Sequence, residues 1–261
     1  MDETLQGYFL LWVQYTFRNV ADRDYLAARL LSKNKLFQPS IWSSLQAVEK
    51  YLKGIMLFSY QNIKKHKHDL VKLWQAIEKL PRLKAKIPPD CVEFLEYLSV
   101  QGTNRYLDFP LSLQGDELFK LDRCVWHIRR YCQNFFLLPG ADILHQHESE
   151  TMLAAIPEEA SPRAVKSFRI SGGYLEALLD EMKKPLRATL VWKNQYYGKN
   201  SKHRIHYAAT VSWERPVHMI RPELLPIIEQ VAYIPPEILN ELHKYRDEKL
   251  KDEAGRRIEK G

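Results

Sequence analysis

Residues 39–58 read PSIWSSLQAVEKYLKGIMLF, and this stretch decides the fold. Ile41, Leu45, Val48, Leu52 and Ile55 recur at intervals of three and four, the spacing of one buried helical face. Gln46, Glu49 and Lys53 fall on the opposite side, where Glu49 and Lys53 form a favourable i,i+4 ion pair. Pro39 suits the first turn, because a helix loses nothing there when an N–H is missing. A long amphipathic helix of this kind needs neighbours to cover its apolar stripe.

The neighbours are legible on both sides. Upstream, Leu26 and Leu30 stand one turn apart within 21–31, with Asp22 and Asp24 near the positive end of that helix. Downstream, Asp69 opens a helix carrying Leu70, Leu73, Trp74, Ile77 and Leu80, and Val92, Leu95 and Leu98 mark another. Leu118, Leu121, Val125, Ile128, Cys132 and Phe135 form a last seam over 116–137. Pro81, Pro88-Pro89, Gly102, Gly115 and Pro139-Gly140 punctuate these segments. The spacing predicts a mainly α protein whose residues 1–140 form an antiparallel four- or five-helix bundle. The aromatic opening YFLLWVQYTF at 8–17 fits a short helix or a strand.

Beyond Gly140 the texture changes, and nine of the fourteen prolines lie at or after Pro139. We expect a linker at 141–165 and a smaller C-terminal α+β domain at 166–261. Arg187–Tyr197 and His203–Trp213 read as a β-hairpin, or the first as a helix starting at Pro185. Trp192, Tyr196, Tyr197, Tyr207 and Trp213 interleave with Lys193, Lys199, Lys202, His203 and Arg204. That composition suits an RNA-binding hairpin or a strand pair packed on a small core.

The net charge is +7, of which +6 falls in residues 1–140. A basic first half fits a polyanionic partner such as RNA or a nucleotide. No apolar run approaches the roughly 18 residues of a membrane span, and Asp2 and Glu3 are the wrong charges before a secretory signal. The expectation is a soluble, cytoplasmic protein with no membrane partner. Cys91, Cys124 and Cys132 form no CxxC pair and read as packing residues. The histidine pairs 66/68, 145/147 and 203/206 lack a matching ligand set, so no metal is expected. GxGxxG, GxxxxGK[ST] and GxSxG are absent, so no dinucleotide cofactor, NTPase or serine-hydrolase chemistry is implied.

Four pieces, in this order and spacing, resemble the HEPN family over about residues 20–138. They are ADRDYLAARLL from Ala21, QAVEKYLK at Gln46–Lys53, His68-Asp69-Leu70, and Arg105-Tyr106. The resemblance implies a helical bundle that dimerises. It also implies either a ribonuclease of toxin–antitoxin and defence systems or a non-cleaving partner that binds nucleotides or RNA. Cleaving members carry an Arg followed after four to six residues by a His. Here Arg123 and His127 have only three residues between them.

At i and i+4, Arg123 and His127 share a helical face that Arg130 extends, off the Leu121/Val125/Ile128 seam. Across a dimer groove such a face could shuttle a 2′-OH proton and stabilise phosphorane charge without a metal. It could equally be a solvated surface. Lys64, Lys65 and His68 form a basic loop at a helix start that could hold a phosphate, while His68-Asp69 could instead cap that helix with a buried imidazole. Arg105 and Tyr106 could clamp a phosphate and stack a base, or Arg105 could pair with Glu49. The departure from the cleaving spacing favours a dimeric, non-cleaving nucleotide- or RNA-binding protein. A metal-independent endoribonuclease using Arg123 and His127, and a protein–protein interaction module, are the alternatives.

Overall fold

The computed structural model describes residues 3–66, 68–81, 83–102, 111–113, 115–134, 150–156, 168–182, 184–198, 211–213, 224–231 and 236–258. The chain divides into two compact units, one of 1–103 with 113–210, the other of 104–112 with 211–261.

The larger unit is built on α3, Phe37–Phe58. All five residues of its apolar stripe are buried. The aromatic opening is helical: α1 spans Glu3–Val13 and passes through a π-helical turn, Gln14–Arg18, into α2, Asn19–Lys33. A π turn adds a residue to the helical repeat and so rotates the face that follows. Here it turns Arg18 inward, where the side chain is buried. α2 lies along α3, and Tyr25, Leu26 and Ala28 are buried. Next come α4, Leu70–Glu78, and α5, Pro89–Gln101, both packed on α3. α6, Glu117–Arg129, closes the bundle against α2, α3 and α5. Among the described residues Cys91, Cys124 and Cys132 are free and buried.

Two expectations need correction here. Glu49 is not on the outer face of α3: it is buried, and its Oε1 accepts from both Lys53 Nζ and His68 Nδ1. The C-terminal half is also not an α+β domain set apart at residue 140. Residues 174–191 form two further helices of the larger unit, α7 at Tyr174–Asp180 and α8 at Pro185–Val191, and both pack on α2. Pro185 stands at the start of α8, where its fixed φ suits a first turn, so the helix wins over the hairpin. Of the expected linker only 150–156 is described, with a helical stretch at 150–154.

The smaller unit contains β2, Val211–Trp213, which pairs with β1, Leu111–Leu113, at the unit's edge. It also contains α9, Leu225–Val231, and α10, Pro236–Ile258. His243 Nε2 stands 2.7 Å from Glu229 Oε1 across those two helices. His203 to Thr210, the inner part of the expected second strand, lie outside the described residues.

Candidate functional site

The last two turns of α6 are buried on every side except at Arg123. The cover is the turn after α8. Asn194 shapes it: its Oδ1 accepts from the N–H groups of Tyr196 (2.9 Å) and Tyr197 (3.0 Å). Its Nδ2 donates to Leu190 O and to Tyr25 Oη, both at 2.9 Å. The ring of Tyr196 then lies 6.0 Å from those of Phe119 and Trp126 on α6.

Under this cover stand the residues chosen from sequence. His127 is fully buried. Its Nδ1 accepts from Arg130 Nη2 at 2.9 Å, which places the ring proton on Nε2. That Nε2 is buried and has no hydrogen-bond partner among the described residues. The edge of Trp126 packs against the imidazole at 5.0 Å between ring centroids. Burial first, then the charges of Arg130 and Arg123, push the His127 pKa down to about 3. The imidazole is therefore neutral at any physiological pH. Arg130 is buried as well, with its guanidinium 4.5 Å over the Trp126 ring. Arg123 keeps 29% of its side chain exposed; its Nε is 2.8 Å from Asp90 Oδ2, and Nη1 donates to Tyr196 Oη at 3.4 Å.

Beside them lies a polar core absent from the sequence reading. Arg129 reaches Asp22 through Nε (2.7 Å) and Nη2 (2.9 Å), and Glu176 through Nη1 (2.7 Å) and Nη2 (2.8 Å). Tyr51 Oη donates to Asp22 at 2.5 Å. Burial opposes the charge on Arg129, but the two carboxylates outweigh it and hold its pKa well above the ordinary value. Burial likewise opposes ionisation of Glu176, and Arg129 reverses the balance, leaving that carboxyl below its ordinary value. Arg29 pairs with Asp122 and donates to the carbonyls of Thr189 and Trp192. Tyr25 Oη donates to Asp122 at 2.6 Å. The signal was present in the chain. Asp22 and Arg29 on α2, and Asp122 and Arg129 on α6, have the same i,i+7 spacing, so two antiparallel helices cross-pair them. These groups saturate one another, and their role is to clamp α7 and α8 onto the bundle.

The accessible polar surface is elsewhere. Lys64 is exposed in a 3₁₀ turn, Lys64–His66, which also contains the backbone of Lys65. The side chain of His68 is largely exposed, with Nδ1 2.9 Å from Glu49 Oε1, and Asp69 caps α4 by accepting from the Lys72 N–H at 3.0 Å. The cap is therefore present, while the imidazole beside it is not buried. Arg105 and Tyr106 lie outside the described residues.

An open cleft of about 630 Å³ lies between the π-helical turn and α7, bordered by Gln14, Tyr15, Asn19, Arg169, Tyr174 and Asp180. Arg169 Nη2 donates to Asp180 Oδ2 at 2.7 Å, and Asn19 Oδ1 is buried without a hydrogen-bond partner among the described residues. Aromatic rings, an open acceptor and a guanidinium are groups that can hold a base or a ribose. Among the described residues no three His, Cys, Asp or Glu side chains gather as a metal site, and no helix is long and apolar enough to cross a membrane.

The model of the HEPN domain family matches residues 15–116, from the π-helical turn to the residue before α6. No curated protein and no solved structure matches the chain.

Proposed function

Since residues 15–116 constitute a HEPN domain, we propose that this protein is a nucleotide- or RNA-binding HEPN protein that does not cleave. The observation that carries the reading is the enclosure of His127. A general base must be within hydrogen-bond reach of the 2′-OH it deprotonates. His127 is fully buried, its Nδ1 is occupied by Arg130, and its Nε2 faces the interior. A cleaving reaction through Arg123 and His127 requires Tyr196 and Trp126 to move aside first.

Binding draws support from the charge, since the excess of Lys and Arg over Asp and Glu is concentrated in residues 1–140. Lys64 and His68 offer accessible donors at one edge of the bundle. The cleft beside α7 offers a second place for a base, with Tyr15 and Tyr174 as stacking faces.

The test is incubation of the full chain with single-stranded RNA in excess EDTA, read for cleavage and for retention. The expected result is intact RNA that is retained at low salt and released steeply as salt rises. Cleavage by the wild type that vanishes in His127→Asn would overturn the reading and establish a ribonuclease. Neither cleavage nor retention of RNA or nucleotide would leave a protein–protein module.

A further inference from the structure

Leu5, Tyr8, Trp12 and Tyr15 follow one another at intervals of three, four and three. This is the a/d spacing of a seam between two helices. In a folded chain such a seam is normally covered. Here Leu5, Tyr8, Trp12, Tyr15 and the adjacent Leu11 are 48% to 66% exposed. The other side of the same helix is satisfied: Gln6 and Val13 are buried, and Phe9 stacks on Tyr60 with centroids 5.5 Å apart. α1 thus has two apolar faces, and the bundle uses one.

We propose that the second face docks against α1 of another copy of this chain, antiparallel, as the seam of a two-fold homodimer. Three observations select this occupant. The first is spacing: the four seam positions are symmetric about Leu10. An antiparallel pair therefore sets Leu5 against the partner's Tyr15, and Tyr8 against the partner's Trp12. A closed two-fold interface demands such self-complementarity.

The second is charge. No charged residue stands between Glu3 and Arg18, and Arg18 is buried. Nothing on the flanks repels an identical helix, and there are no flanking charges of the kind that select a different one. The same neutrality argues against a lipid surface, which draws helices whose polar face is rich in Lys and Arg. The third is area. Five large side chains half exposed or more present on the order of 500 Å² per copy, or roughly 1,000 Å² over both, the lower bound of a specific interface. Antiparallel packing also sets opposite helix dipoles side by side.

The experiment is sedimentation velocity on the full chain across the micromolar range, wild type beside the double variant Tyr8→Gln/Trp12→Gln. Both side chains are exposed and neither borders the cleft, so folding and RNA retention should persist in the variant. The expected result is a dimeric wild type and a monomeric variant with an unchanged circular-dichroism melt. A monomeric wild type, or a variant that stays dimeric, overturns the proposal. Cysteine cross-linking reads the orientation: Leu5→Cys mixed with Tyr15→Cys should give a covalent dimer that neither variant gives alone. Efficient cross-linking of Leu5→Cys by itself would mean parallel helices and refute the antiparallel seam. Cys91, Cys124 and Cys132 are buried and do not compete.

Discussion

Acidification should weaken this fold through one buried ring. In an unfolded chain a histidine titrates near 6.5, whereas His127 in the folded chain is held at about 3. The unfolded state therefore binds the proton first. The stabilisation from keeping His127 neutral is fully present above pH 6.5 and is lost as pH falls from there toward 3. Each pH unit below the unfolded value costs about 1.4 kcal/mol, so the loss is ~2 kcal/mol by pH 5 and ~3 kcal/mol by pH 4. Other groups titrate too, so the quantity to measure is a difference. Urea unfolding of the wild type and of His127→Asn, across pH 4 to 8, isolates it. The asparagine oxygen stands where Nδ1 stood and can accept from Arg130, but it does not titrate. The wild type should lose about 2 kcal/mol more than the variant between pH 7.5 and pH 5. Parallel stability curves would refute the reasoning, because they would mean that the ring already meets solvent in the folded chain.

Two further outcomes follow from the polar core. Arg129→Met leaves Asp22 and Glu176 buried without their cation and should cost about 3–5 kcal/mol, read as a lower urea midpoint. A Cβ on Gly173 would stand 1.9 Å from Glu176 Oε2 and 3.0 Å from Arg129 Nη2. Gly173→Ala should therefore push Glu176 off Arg129 and cost about 1–3 kcal/mol, with proteolysis of 168–198 quickening; an unchanged melt would show that the Glu176 side chain can swing away freely.

How much of this was legible in the chain depends on the range of the interaction. The stripe of α3 and the seams of α4, α5 and α6 were readable because helical periodicity is local: a residue's neighbours at three and four positions share its face. The cap at Asp69 and the pair Glu49–Lys53 were readable for the same reason. Glu49 was misplaced, since a polar residue counts as outward until a tertiary partner is known, and His68 lies nineteen residues away. The aromatic opening was ambiguous because ten apolar residues fit a helix or a strand equally well.

The sequence by itself determined a helical bundle, the HEPN resemblance and the basic first half. These rest on spacing and on composition, which need no knowledge of what lies across the chain. Only the tertiary structure decided that α7 and α8 belong to the bundle, and that Tyr196 and Trp126 shut His127 away. Both outcomes depend on contacts such as Arg129–Glu176 and Arg29–Trp192, 47 and 163 residues apart. Arg123 and His127 fall on one helical face whether that face is wet or covered. Burial, and with it the proton chemistry of the imidazole, is set by what folds over the helix.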